Sequence, residues 1–387
     1  MSKLEQLIKE LCPDGVEWKA LGESFDILAG GDVPKEDLSE IKTEEFNIPI
    51  LSNGIDKKAL YGWTNKAKID NPSLTISARG TIGWTSLRDK PFFPIVRLLV
   101  LTPKIELNLK YTYHFMKMIE KSYKVPKTGI PQLTKPMIKD IEIPLPPLPV
   151  QEEIVRILDN FTELTAELTA ELTARKKQYE YYRNSLLSES ELCTDGVEYR
   201  KIKDCFQRLR GTAITAGKMK EIECEAGEIR VFAGGKTVVN ANEKDIPNAN
   251  IIRVPAVFVQ SRGVIDVIYF EKPFTFKNEM WAYTHSEKTT VKYLFYFLKN
   301  NIQQFRSSAS GMGSLPQISL PVTEDFLIPI PPLKEQERIV AILDKFDTLT
   351  TSINEGLPAE IEARKQQYEY YRDNLLNFEK IDTEVLI

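Results

Sequence analysis

The chain has 387 residues, 42% hydrophobic and 27% charged, with a formal net charge of -4, which leaves room for two or three domains that each close a core of their own. No apolar run approaches the roughly 18–20 residues of a membrane span, and the opening MSKLEQLIKEL is charged and amphipathic, unlike a signal peptide, so the expected compartment is the cytoplasm. Four cysteines (Cys12, Cys193, Cys205, Cys224) form no CxxC pair and only two histidines, His114 and His285, are present, so no metal site or disulfide framework is expected and the cysteines are expected to be reduced.

The N-terminal tract LIKELCPDGVE at 7–17 returns as SESELCTDGVE at 188–198. After it comes a mixed α/β domain, assigned to residues 1–142. Within it ILSNG at 50–54 reads as a turn followed by Lys57 and Lys58, with Asn53, Lys57 and Lys58 as candidate DNA contacts. LTISARGTIGWT at 74–85 reads as two strands around an Arg-Gly pair, with Arg79 at the hairpin tip. The Gly-Pro loop KVPKTGIPQLT at 124–134 offers backbone amides together with Lys124, Lys127 and Thr128. Trp63 and Trp84, each in Gly-Trp-Thr, are read as core aromatics rather than base-stacking platforms.

The proline-rich bridge IPLPPLP at 143–149 is expected to be extended, since proline lacks an amide donor and pushes its predecessor out of the α region. QEEIVRILDNF follows and opens a helix expected over about 151–187, roughly 55 Å long at 1.5 Å per residue. Its seam alternates steps of four and three through Ile154, Leu158, Phe161, Thr165, Leu168, Leu172, Arg175, Tyr179, Tyr182 and Leu186, a coiled-coil stripe with two polar exceptions. This bridge and helix are assigned to residues 143–189.

Residues 190–327 repeat the domain. VFAGG at 231–235 matches ILSNG and brings Lys236. VFVQSRGVIDVI at 257–268 matches the Arg-Gly hairpin and brings Arg262. SASGMGSLPQIS at 308–319 matches the Gly-Pro loop and brings Ser308 and Ser310, with Ser307 just before it. The bridge returns as IPIPPL at 328–333, 185 positions after the first, and opens a second helix assigned to 328–387. Its seam runs through Ile339, Leu343, Phe346, Ile353, Leu357, Tyr368, Tyr371 and Leu375, with four extra residues around Asn354 to Pro358. Gly356 and Pro358 there predict a break rather than an absorbed stutter.

Connectivity makes the two helices antiparallel, because the termini of a compact domain lie close together and helix two therefore starts where helix one ends. Helix two then returns to the N-terminus. The expected fold is α+β: two mixed α/β domains joined by two long antiparallel helices in a coiled coil, related by an internal pseudo-two-fold repeat.

No catalytic constellation stands out. Gly234-Gly235-Lys236-Thr237 is short of a phosphate-binding loop, since Arg230 occupies the place of its first glycine, and it reads as a hairpin turn. Asn71-Pro72-Ser73-Leu74 is not a methyltransferase motif, and His114 and His285 read as surface residues of a helix or strand. The recurring domain elements suit binding, and over residues 57–97 basic residues outnumber acidic ones, as phosphate binding needs. The helices match closely between copies while the domains agree only at scattered turns, so two similar scaffolds carry two different surfaces.

QEEIVRILD followed by ARKKQYEYYRNSLL, doubled and alternating with two variable domains, resembles the specificity subunit of type I restriction-modification enzymes. The resemblance implies a non-catalytic, cytoplasmic bacterial or archaeal protein whose two target recognition domains each read half of a bipartite site in double-stranded DNA, with the helices as a ruler. It implies partners: two modification (methyltransferase) subunits docked on the helices, where exposed Tyr181 and Tyr370 are candidates, and a restriction subunit reached through the complex. S-adenosylmethionine and ATP are then expected on those partners, with no cofactor on this chain. The competing reading is a structural coiled-coil adaptor without sequence-specific DNA binding, motivated by the long acidic helices. A methyltransferase or nuclease in its own right would need a cofactor motif that the sequence lacks.

Overall fold

The computed structural model describes the chain except residues 1, 127–128, 193–196, 235–236, 311–314, 353 and 382–387, and the side chains of 189–190. Two compact units divide it: residues 1–169 with 360–387, and residues 170–359. Compactness thus divides the chain inside the first long helix and at the start of the second segment of the other, and each unit holds one α/β domain plus a piece of both helices.

In the first unit a four-stranded antiparallel sheet runs in the order Phe25–Ala29, Leu99–Pro103, Ser73–Ile76, Thr85–Arg88. A three-stranded sheet runs Leu60–Thr64, Ile48–Leu51, Phe93–Pro94, its last pair parallel. Helix Leu109–Met118, capped by the Asn108 side chain, lies against the larger sheet. Its Tyr111 and Phe115 join Leu74, Ile76, Leu99 and Leu101 in a core that also takes Ile154 and Leu158 of the long helix.

The second unit repeats this topology. Its four-stranded sheet runs Gln207–Arg210, Trp281–Thr284, Ala256–Gln260, Asp266–Phe270, and its three-stranded sheet Val238–Ala241, Ile229–Phe232, Phe274–Phe276, again with the last pair parallel. Helix Lys288–Asn300 corresponds to Leu109–Met118. Phe232 pairs with Val238 and the Ala233 amide donates to the Thr237 carbonyl at 2.9 Å; the expected Gly-Gly turn includes residues 235–236, which lie outside the described residues.

The proline bridges are not free spacers. Residues Glu142–Leu145 form a strand paired with Glu17–Ala20, and Leu327–Pro329 pairs with Tyr199–Lys201. Helix one begins earlier than expected, running Leu148–Leu186 over 39 residues. Pro149 sits in its first turn, where a missing amide costs nothing because that amide has no intrahelical partner. The Gln that follows each bridge has a physical role. Buried Gln151 donates from Nε2 to the Pro146 carbonyl at 2.7 Å and accepts from the Asn108 amide at 2.8 Å. Buried Gln336 donates to the Pro331 carbonyl at 2.8 Å.

The second helix is broken as expected, into Leu333–Thr351 and Leu357–Leu375. Gly356 turns the chain at φ 82°, where a Cβ would lie 2.6 Å from the Thr348 carbonyl oxygen. Helix two does return to the N-terminal tract: the Val16 amide donates to the Glu379 carbonyl at 2.9 Å and the Ile381 amide to the Val16 carbonyl at 3.1 Å.

The seam forms within each unit. In the first, Ile154 and Leu158 are fully buried, Phe161 stacks on Tyr371 with ring centroids 5.1 Å apart, and Leu375 and Tyr368 pack against the core. In the second, Leu186, Ile339 and Leu343 are buried, and Tyr179 and Tyr182 stack on Phe346 at 6.1 and 5.5 Å. Tyr179, Tyr182 and Leu186 near the end of helix one share a core with Ile339, Leu343 and Phe346 near the start of helix two, as an antiparallel pair requires. Leu168 and Leu172 are half-buried, Leu357 is buried, and Ile353 lies outside the described residues. Two corrections apply to the heptad. Tyr182 and Tyr371 stay 40% and 43% exposed, stacking on one side only, while Ile361 and Leu376 are buried although the heptad omits them. The non-helical linker before Leu357 resets the phase, so a continuous heptad count does not carry across it.

Candidate nucleic-acid interface

The three recurring domain motifs converge at one end of each larger sheet. In the first unit Asn53 accepts at Oδ1 from the Ala78 and Arg79 amides, at 2.6 and 3.3 Å, and the Gly54 amide donates to the Ser77 hydroxyl at 3.2 Å. The Gly-Pro loop closes from the other side: the Leu133 amide donates to the Ala78 carbonyl at 2.9 Å, and Arg79 directs Nε and Nη2 to the Gln132 Oε1 at 3.0 and 2.6 Å. Two of the five guanidinium N–H groups are thereby held in place and three are left to face a ligand. Asn53, Lys57, Lys58, Arg79 and Thr81 line a cleft of about 730 Å³. Lys57 and Lys58 are exposed and make no ion pair among the described residues, whereas Asn53 has its polar atoms engaged internally and acts as a strut.

The second unit builds the same junction. The Ile318 amide donates to the Ser261 carbonyl at 2.9 Å and the Gly263 amide to the Pro316 carbonyl at 2.8 Å, with Arg262 bridged to Gln317 through the backbone. Arg262 is exposed, at the tip of the hairpin between Ala256–Gln260 and Asp266–Phe270, and its guanidinium has no bonding partner among the described residues. Gly234 occupies the place of Asn53, with Arg262 behind it: a Cβ there would stand 3.6 Å from the Arg262 carbonyl oxygen.

The remaining expected contacts are less uniform. Lys124 is exposed but lies outside the residues lining the cleft. Ser307 is exposed. Ser308 donates to the Gln304 carbonyl at 2.8 Å, and Ser310 pairs with Gln317 through backbone bonds of 2.9 and 3.1 Å, so both serve the loop's own closure. Lys127, Thr128 and Lys236 lie outside the described residues. Trp84 is covered by the Lys117 ammonium, 3.7 Å from its ring centroid, and is not a free stacking platform.

Sequence reasoning missed a turn beside each junction. Between Phe93–Pro94 and Leu99–Pro103, Val96 and Arg97 both stand at positive φ, 52° and 60°. A left-handed β-branched residue costs on the order of 1–3 kcal/mol and persists only where surrounding bonds impose it. Here the Ile95, Val96 and Arg97 amides donate to the Leu51, Gly31 and Gly30 carbonyls at 2.9, 2.8 and 2.9 Å, and Asn53 Nδ2 donates to the Val96 carbonyl at 2.8 Å. A side chain on Gly30 would lie 2.8 Å from the Ile95 backbone, so the close approach demands glycine. Val96 and Arg97 project outward and, with Arg79 and 30–33, line a second cleft of about 370 Å³.

His114 is a further correction, being 1% exposed rather than on the surface. Nδ1 lies 2.9 Å from the Tyr368 hydroxyl and Nε2 3.2 Å from Asp159 Oδ1, while Lys110 donates to Asp159 Oδ2. Burial pushes its pKa below the usual histidine value, against the pull of Asp159. It ties the domain helix to both long-helix segments in its unit and faces no cleft. His285 accepts from the Glu287 amide at 3.0 Å. Among the described residues no group of three or more His, Cys, Asp or Glu side chains is placed to hold a metal ion, and no helix is long and apolar enough to cross a membrane.

A doubled α/β domain, each copy pairing a cation-bearing loop junction with helical segments common to both, defines a class of two-site recognition scaffold. The type I restriction modification DNA specificity domain matches residues 13–175 and again 194–363, and the chain belongs to that family. It is 33% identical to the Escherichia coli type I restriction enzyme EcoR124I/EcoR124II specificity subunit over 99% of each chain. It is 32% identical to a Haemophilus influenzae putative type I restriction enzyme specificity subunit, covering 94% of this chain and 96% of that one. The fold is that of a Mycoplasma genitalium type I restriction-modification S subunit, with a TM-score of 0.61 at 18% identity, covering 94% of this chain and 96% of that one.

Proposed function

We propose that this chain is the DNA sequence-specificity subunit of a type I restriction-modification system, each α/β domain (residues 1–142 and 190–327) reading one half of a bipartite double-stranded site. The observation that carries this reading is the repeated junction: Arg79 and Arg262 stand on equivalent hairpins, each locked to an equivalent Pro-Gln loop, while the side chains around them differ. Identical frames with different outward residues suit two different half-sites, and the helices at 143–189 and 328–387 set their spacing. In this reading the chain catalyses nothing and holds no cofactor. Methyl transfer and ATP-driven cleavage fall to modification and restriction subunits, with S-adenosylmethionine and ATP bound there, in the cytoplasm of the bacterial or archaeal host.

Two modification subunits would dock on the helices. Tyr181 and Tyr370, 69% and 67% exposed and each in edge contact with the next tyrosine, are equivalent anchors for them. Selection of bound sequences from randomised duplex DNA tests the reading. Two short motifs at a fixed spacing are expected, and a single motif, or none, would support the coiled-coil adaptor instead.

A further inference from the structure

The strained Val96–Arg97 turn has a counterpart in the second copy, where Lys272-Pro273-Phe274 repeats the Lys90-Pro91-Phe92 that precedes it. In the second unit the Lys277, Asn278 and Met280 amides donate to the Phe232, Thr212 and Lys277 carbonyls at 3.0, 3.1 and 3.0 Å. These bonds match those of Ile95, Val96 and Leu98 to Leu51, Gly31 and Ile95. Gly31 bridges Ile95 and Thr212 bridges Lys277 in the same parallel sense. Gly211 stands where Gly30 stands, again with no room for a Cβ. By this register Val96 is equivalent to Asn278 and Arg97 to Glu279 in chain position, although among the described residues the Arg97 bond to the Gly30 carbonyl has no counterpart at Glu279 and neither Asn278 nor Glu279 stands at positive φ. All four are exposed, and both turns open onto clefts, of about 370 and 410 Å³.

We propose that these two turns are base-reading elements, one per domain, with Arg97 and Val96 reading the first half-site and Asn278 and Glu279 the second; the inference rests on the DNA-reading function proposed above. The substitution pattern decides between base and phosphate. A residue that clamps the DNA backbone must be neutral or cationic, yet Glu279, paired with Lys277 at 2.7 Å, places a carboxylate where the other copy places a guanidinium. Only base edges offer partners to both. An arginine fork matches guanine O6 and N7 in the major groove, and a valine face meets the thymine methyl group. Asparagine matches adenine N6 and N7, and a carboxylate accepts from cytosine N4. The Arg97 guanidinium has no bonding partner among the described residues, so it is available without breaking any internal bond. The positive φ at Val96 and Arg97 fixes the direction in which both Cβ atoms leave the backbone.

The test is selection from randomised duplex DNA by the full chain and by Arg97→Ala, Arg97→Lys and Glu279→Gln. Arg97→Ala is expected to erase a guanine preference at one position of one motif, leave the other motif intact, and weaken binding to the wild-type site about 5- to 100-fold. Arg97→Lys, which keeps the charge and loses the fork, should fall between. Glu279→Gln should alter only the other motif. An unchanged Arg97→Ala motif, whether or not affinity falls evenly across all sequences, overturns the proposal while the specificity function stands. If the wild-type chain itself enriches no motif, the parent reading fails and this one with it.

Discussion

The two copies agree where each domain meets the long helices and part where each domain faces outward. In the first unit Lys110 and His114 of the domain helix converge on Asp159, and His114 also meets Tyr368. In the second, Lys292 and Tyr296 converge on Asp344 at 2.7 and 2.5 Å. Tyr111 and Tyr293 each donate to a bridge carbonyl, of Pro144 and Pro329, at 3.1 Å. At the outer junction the same comparison gives Asn53 against Gly234, Val96 against Asn278, and Arg97 against Glu279. Residues that seat a domain on the helices are tied to partners on several elements and repeat, whereas residues that project from the outer junction differ, and at Arg97 and Glu279 the local backbone differs with them.

The comparison can be broken most severely at the seam. Leu158→Ala and Leu343→Ala remove equivalent, fully buried side chains, and each should destabilise its own unit by about 3 kcal/mol in denaturant unfolding. Unequal effects, with one near zero, would show that the two seams are not equivalent.

A smaller, asymmetric effect is expected at the helix-opening glutamines. Gln151→Leu strands the Asn108 amide and the Pro146 carbonyl and should cost roughly 2 kcal/mol. Gln336→Leu loses only the bond to Pro331, while its buried Oε1 already has no partner among the described residues, so the cost should fall below about 1 kcal/mol. Chemical melts of the paired variants check the ordering.

The finest difference is titratable. The His114 ring is held below its ordinary pKa by burial, so as pH falls below about 6.5 the unfolded chain takes up a proton that the folded ring resists, and stability drops until the depressed value is passed. Above that window the loss is absent. His114→Tyr, which installs the second copy's residue, should flatten the melting temperature between about pH 6.5 and 5 relative to wild type. A parallel pH slope in both proteins would place the sensitivity elsewhere.

Much of this architecture was legible from spacing. The doubled tract, the break at Gly356 and the antiparallel course all follow from periodicity and connectivity, and the Arg79 and Arg262 hairpins follow from alternating apolar runs around Arg-Gly. What was hidden depends on residues far apart in sequence. Nothing in Pro-Ile-Val-Arg announces a left-handed pair, because the turn is imposed by Gly30 and Leu51 across two sheets. His114 reads as a helix-surface residue until Asp159 and Tyr368 are brought to it. Asn53, expected among the DNA contacts from its place in a recurring turn, has its side-chain amide bonded to the Ala78 amide and the Val96 carbonyl, partners distant in sequence.

The central claim, that two independent readers share one frame, is tested most directly by replacing residues 190–327 with a second copy of residues 1–142 and repeating the selection from randomised duplex DNA. The account predicts a site in which both halves carry the first domain's motif at unchanged spacing. Recovery of the original asymmetric site, or of a single unpaired motif, would contradict it.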